Sequence, residues 1–110
     1  MKNPKPSHVT ELEELSLRAL VNCTDTELYG LQIQKSIEEI FHRNIPMGSL
    51  YPVLHRLKKR GFVVSRWETS QMDKRSGARR RYYKITPQGI ATLNQLDLMR
   101  SQLTAWQPVV

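Results

Sequence analysis

Residues 48–63 read GSLYPVLHRLKKRGFV and residues 79–89 read RRRYYKITPQG. The first segment carries Leu50, Val53, Leu54 and Leu57 at the i, i+3, i+4, i+7 positions that one face of an α-helix buries. Gly61 then follows as a natural left-handed C′ residue. Two stretches rich in β-formers come next, 62–69 and 79–86, separated by the polar run from Gln71 to Gly77. The order is therefore amphipathic helix, tight turn, antiparallel hairpin. Pro52 stands against the helix, since an interior proline loses a hydrogen bond and crowds the preceding turn. A helix that begins close to Gly48 and runs to about Arg60 places Pro52 in the first turn, where backbone N–H groups have no intrahelical partner.

Upstream, Thr10 followed by Glu13 has the spacing of a capping box and starts a helix that ends near Asn22. Leu12, Leu15, Leu17, Leu20 and Val21 form its apolar stripe. The polar stretch from Thr24 to Glu27 precedes a second helix, with Leu28, Leu31, Ile33, Ile37, Ile40 and Phe41 expected on its buried side. Gly30 lies in its first turn, where a missing side chain lets another helix approach. After the hairpin, Thr86 and Pro87 restart a helix as N-cap and first helical residue. This last helix outruns the compact unit before it. Leu96, Met99, Leu103 and Trp106 alternate three and four residues apart like a coiled-coil seam, and with Leu93 they are the expected interface with a second copy. The chain thus divides into a mobile arm (1–8), a helix-and-hairpin domain (9–86) and a C-terminal dimerisation helix (87–110).

Charge points to the partner. The 110 residues carry 17 Lys and Arg against 10 Asp and Glu. Eleven of those cations lie between Arg56 and Lys84, with only Glu68 and Asp73 beside them, a concentration that marks a polyanion site. On the third helix the face opposite the apolar stripe holds Ser49, Tyr51, Pro52, His55, Arg56 and Lys59. An ordinary solvated face mixes both signs of charge, yet no acid occurs from Met47 to Ser65. Contact with double-stranded DNA is the stronger reading. Ser49 and Tyr51 then hold phosphates, the Tyr51 ring packing on the second helix, and Arg56 or His55 reaches base edges. Lys74, Arg75, Arg79, Arg80 and Arg81 fit phosphate or minor-groove contact better than a loop that only resists aggregation. Trp67, Tyr82 and Tyr83 suit packing of the hairpin more than base stacking. Trp106 suits the dimer seam, or else an aromatic wall of a ligand pocket there.

Other chemistries find little support. No apolar run approaches the roughly 18 residues that span a bilayer, and MKNPKPSHVTE lacks the apolar core of a signal peptide, so a cytoplasmic protein is expected. Cys23 is the single cysteine and reads as a small core residue. His8, His42 and His55 have no partners at ligand spacing, so no metal and no cofactor are expected. No nucleophile set, glycine loop or paired-carboxylate cleft suggests an enzyme.

GSLYPVLHRLKKRGFV resembles the GxLYPxLxRLxxxGLV segment of PadR-like transcriptional regulators, and RRRYYKITPQG resembles their RKYYxLTxxG closing motif. LYGLQIQKSIEEIF looks like the YGYEI-type helix that precedes them, and together the three pieces cover most of residues 10–90. A weaker similarity exists to the period-extender type of PadR-like protein. The departures are small: Phe62 and Val63 replace common Leu and Val or Ile, and Ala78 stands where proline is frequent. The resemblance implies a mainly α protein with a small β-hairpin, a winged helix-turn-helix repressor that dimerises through its C-terminal helix. A winged-helix module that meets an acidic protein partner or RNA remains the other reading, and a small-molecule effector is left unassigned.

Overall fold

A computed structural model describes residues 8–23, 25–69 and 80–109. The arm expected at 1–8 lies outside them apart from His8. Helix α1 (Glu11–Val21) opens with the capping box read from the sequence. Thr10 Oγ1 accepts from the Glu13 amide at 3.2 Å, and the Glu13 carboxylate accepts from the Thr10 amide at 3.1 Å. Glu13 is nevertheless 3% exposed, because its second oxygen takes Arg60 at 2.9 Å. Arg60 also lies 4.7 Å over the Phe62 ring and donates to the His8 carbonyl. One acid therefore caps α1 and anchors the end of the third helix.

The next element departs from expectation. Leu28 and Tyr29 form a short strand, β1 (Leu28–Tyr29), before helix α2 (Gly30–Phe41). Within α2 the buried apolar residues are Ile33 and Ile37. Leu31 points away from them and is exposed, while Ile40 and Phe41 continue the buried side past the filled core and line an open cleft against α1. His42 ends α2 at φ 55°, a left-handed position held here without glycine.

Helix α3 (Met47–Lys59) starts with Pro46 as its N-cap, which places Pro52 in the second turn and not the first. Having no N–H, Pro52 cannot donate to the carbonyl of Gly48 four residues back, and that helical hydrogen bond is forgone. The buried stripe of α3 is Leu50, Val53, Leu54 and Leu57, as the spacing predicts. Gly61, at φ 79°, ends the helix in a Schellman motif, with its amide on the Lys58 carbonyl and the Phe62 amide on the Leu57 carbonyl, both at 3.0 Å.

Strands β2 (Val63–Trp67) and β3 (Arg81–Ile85) pair antiparallel from Val63↔Ile85 to Trp67↔Arg81. β3 also pairs with β1 through Leu28↔Tyr83 and Tyr29↔Tyr82, so the expected hairpin is part of a three-stranded sheet ordered β1-β3-β2. Thr86 then caps α4 (Pro87–Ala105), its hydroxyl accepting from the Gly89 amide at 3.1 Å and donating to the Gly61 carbonyl at 2.7 Å. The Thr86 amide takes the Phe62 carbonyl at 3.0 Å. α4 runs antiparallel to α1, held by Arg18 to Asp97 at 2.8 Å and by Arg100 to Glu14. Leu93 is buried in the chain's own core, Leu96 packs against that core, and residues 101–109 are all exposed.

Gly89 sits where α4 meets the α3–β2 turn. A Cβ there would lie 2.4 Å from the Phe62 carbonyl oxygen and 2.8 Å from Ile85 Cγ1, so Gly89→Ala is expected to cost about 1–3 kcal/mol, measured by denaturant unfolding. For Glu13, burial alone pushes the carboxyl up, but the hydrogen bonds from Thr10 and Arg60 and the Arg60 charge prevail and hold it below its ordinary 4.5. A depressed carboxyl contributes stability above its unfolded value and loses it as pH falls through the folded one. Glu13→Gln is therefore expected to cost about 1–3 kcal/mol near pH 7, and the gap to the parent protein should narrow below about pH 4.5.

Candidate nucleic-acid interface

Because α3 spends Leu50, Val53, Leu54 and Leu57 on the core, everything on its opposite side is presented outward. Ser49, Tyr51, Pro52, His55, Arg56 and Lys59 are all exposed, as the periodicity places them. Lys58 joins them. It follows Tyr51 by seven residues and His55 by three, so the same helical spacing identifies it, although it was not among the expected contacts. Among the described residues Arg56, Lys58 and Lys59 make no ion pair, whereas two other cations of the basic segment are committed: Arg60 to Glu13 and Arg66 to Glu27, the latter at 2.8 Å. Among the described residues the outer face of α3 thus carries three cations without an acidic partner, and exposed Lys84 on β3 is another cation of the segment without an ion pair.

The N-terminal end of that face is set by α2. Tyr51 is half-exposed, and its ring rests on Gly30: a Cβ added to Gly30 would lie 3.1 Å from Tyr51 Cε1, 3.4 Å from its hydroxyl and 3.0 Å from Met47 Cε. The missing side chain anticipated at Gly30 is thereby used to seat Tyr51. The Ser49 amide donates to the Pro46 carbonyl at 2.9 Å, closing the first turn of α3, and its side chain is exposed.

The sheet arranges its cations against aromatic rings. On the outer face, alternation puts Tyr29, Arg66, Arg80 and Tyr82 together. Arg80 lies 4.7 Å over Tyr29, Arg66 5.0 Å over Tyr82, and the two tyrosines meet edge to face at 5.9 Å. On the inner face Arg81 lies 5.2 Å over Trp67 and donates from Nε to Ser65 Oγ at 3.1 Å. Tyr83 is buried, and that burial pushes its phenol up. Tyr83 is thus core packing, whereas Tyr82 and Trp67, the latter 49% exposed, are held by cation–π contacts at the surface of the sheet and not in a core. Lys74, Arg75 and Arg79 lie outside the described residues. Among the described residues no group of His, Cys, Asp and Glu is placed to hold a metal ion, and no helix is long and apolar enough to cross a membrane.

Three helices, the third presented outward, followed by a sheet whose last two strands form a hairpin, define a winged helix-turn-helix fold. Residues 19–95 match the profile of the Transcriptional regulator PadR-like family, and the chain belongs to that family. It is 37% identical over 79 residues to the protein named Transcriptional regulator Rv3488 from Mycobacterium tuberculosis (strain ATCC 25618 / H37Rv), covering 72% of this chain and 68% of that one. The structure is similar to a PadR-like transcription factor from Bacteroides fragilis, with a TM-score of 0.71, 28% identity and coverage of 86% and 84% of the two chains. A PadR family regulator from Clostridium difficile R20291 shares the fold at a TM-score of 0.71 and 22% identity, covering 87% of this chain and 93% of its own. The family consists of transcriptional regulators, not enzymes.

Gly30→Ala tests how Tyr51 is seated. The new methyl meets only the ends of two flexible side chains, so stability should stay within about 1 kcal/mol of the parent, while the Tyr51 ring resonances shift in NMR spectra. A loss comparable to that of Gly89→Ala would contradict this placement.

Proposed function

We propose that this transcriptional regulator binds a specific sequence of double-stranded DNA as a homodimer in the cytoplasm, and represses transcription by occupying it. The observation that carries the reading is the outer face of α3, where cations without an acidic neighbour sit on a rigid helix backed by a full core. Such a helix fits the major groove. Arg56, flanked by His55, is the base-reading residue, since a guanidinium matches the two acceptors of guanine. Lys58 and Lys59 contact phosphates, and Ser49 and Tyr51 hold a phosphate near the helix start through their hydroxyls. Arg80 and Arg81, with Lys74, Arg75 and Arg79, extend the interface along the neighbouring backbone or minor groove. Their rings restrain Arg80 and Arg81 before binding, which lowers the entropic cost of association.

Two-fold symmetry through α4 then presents two α3 helices to one duplex, with half-sites about 34 Å apart. Leu96, Met99, Leu103 and Trp106 are the seam. Leu93 is buried in the chain's own core and Leu96 packs against it, so the symmetric contact is centred beyond them, on Met99 and Leu103.

An acidic protein or an RNA would meet the same charge, and one comparison separates the cases. On a selected duplex, Arg56→Ala should cost about 1–3 kcal/mol and less on random DNA. Lys58→Ala and Lys59→Ala should weaken both equally, lowering the salt slope by up to about 0.9 for each phosphate that is no longer neutralised. Equal losses for Arg56→Ala on both duplexes would reduce it to a phosphate ligand, and tighter binding to RNA than to any duplex would overturn the proposal.

A further inference from the structure

Gly48 and Pro52 lie four residues apart within α3, and both are exposed. They are the two residue types that a helix accommodates worst. Elsewhere in the chain the glycines answer to the fold: Gly61 takes φ 79°, Gly30 seats Tyr51, and Gly89 meets the Phe62 carbonyl oxygen. Gly48 does none of these. Its φ lies outside the left-handed region, and a Cβ built on it would meet nothing within 4 Å. Pro52 likewise takes no part in the buried stripe of Leu50, Val53, Leu54 and Leu57. No contact within the chain accounts for either residue.

What the pair creates is a hydrogen-bond acceptor. An α-helix closes each carbonyl with the amide four residues on, and Pro52 has none to offer Gly48. The Gly48 carbonyl is left without its helical donor on an exposed stretch of α3, and its own residue has no side chain to shield it. A bare backbone of this kind admits close approach by a ligand.

The surrounding chemistry selects that ligand. The other outward groups all can donate: the hydroxyls of Ser49 and Tyr51, the His55 imidazole and the cations of Arg56, Lys58 and Lys59. No carboxylate occurs from Met47 to Ser65, so the face has no side chain that only accepts. A phosphate, itself only an acceptor, gains nothing from a carbonyl oxygen. In the major groove the donors to be read are the exocyclic amines, N6 of adenine and N4 of cytosine.

We infer that the Gly48 carbonyl reads one base, accepting a hydrogen bond from the exocyclic amine of an adenine or a cytosine, and that Gly48 and Pro52 together determine specificity there. This rests on the DNA binding proposed above and adds a contact to it. Gly48, Pro52 and Arg56 follow one another at four-residue steps along one side of the helix. From Gly48 to Arg56 the helix rises about 12 Å, so the amine lies within about four base pairs of the guanine that Arg56 reads, at roughly 3.4 Å per step. The acceptor belongs to the backbone, and only the residue four positions on can switch it.

Pro52→Ala switches it off, because the restored amide takes the Gly48 carbonyl back into the helix. The variant should unfold no earlier than the parent protein, and the Gly48 carbonyl carbon should move downfield in NMR spectra. Both proteins are then titrated with the duplex selected by the parent, each adenine replaced in turn by purine deoxyriboside and each cytosine by pyrimidin-2-one deoxyriboside, which lack the amine. At one position beside each α3 the parent should lose at least tenfold in affinity and Pro52→Ala less than twofold; elsewhere the two should lose alike, since weaker base pairing is common to both. Gly48→Ala should fold as the parent does and bind the selected duplex at least tenfold more weakly. The inference is overturned if no position distinguishes parent from Pro52→Ala, if the Gly48 carbonyl shift stays in place, or if Gly48→Ala binds at full strength. A thymine→uracil replacement that alone distinguishes them assigns the contact to the Pro52 ring and overturns it as well. A parent protein that selects no duplex removes the DNA reading itself, and the base with it.

Discussion

The junction between the end of α3, the start of β2 and the first turn of α4 is the constraint on which the remaining geometry depends. Three contacts meet there: Thr86 hydroxyl to the Gly61 carbonyl, Thr86 amide to the Phe62 carbonyl, and the bare Gly89 backbone against Phe62. Each uses a group that the Schellman ending of α3 leaves pointing outward. The result is that α4 cannot turn independently of α3. In the proposed two-fold dimer through α4, this junction would set the spacing between two α3 helices. The ion pair of Glu13 with Arg60 holds the same end of α3 from the other side, so α1, α3 and α4 are joined at one place.

Charge is organised by the same economy. Arg60 and Arg66 belong to the basic segment but face acids contributed from elsewhere, and Arg80 and Arg81 lie against aromatic rings. Among the described residues Arg56, Lys58 and Lys59 form a row without ion pairs on a helix whose other side is buried. The backbone beneath this row is ordered by the buried stripe of α3, and Gly30 contributes by letting Tyr51 settle against α2.

The parts that were legible in the sequence are those governed by local period and local caps. Leu50, Val53, Leu54 and Leu57 lie in the core because 3.6-residue spacing leaves them nowhere else to point, and the Thr10–Glu13 box, Gly61 and Thr86–Pro87 mark ends through backbone hydrogen bonds that neighbours alone satisfy. What escaped was decided at long range. A strand of two residues, Leu28 and Tyr29, has no period to detect and exists only because β3 offers an edge. Ile40 and Phe41 have the right spacing for burial, but whether they are covered depends on where α1 ends. The partners of Arg60 and Arg66 lie 47 and 39 residues away, so a running charge sum overstates what is free. Lys58 was legible and overlooked, since the lysine beside it drew the same helical face more narrowly. The outward position of Ser49, Tyr51, Pro52, His55, Arg56 and Lys59 followed from the period.

The central claim is that two outward α3 faces, held at a fixed spacing, read one duplex. Hydroxyl-radical and methylation footprints on a duplex selected from a random library test it most directly. The account predicts two protected major-groove patches related by a dyad, their centres about one helical turn apart, roughly 34 Å, with guanine N7 protection abolished in Arg56→Ala. A single continuous patch without dyad symmetry, or no protection of any selected duplex near 0.15 M salt, where such complexes hold, would contradict it.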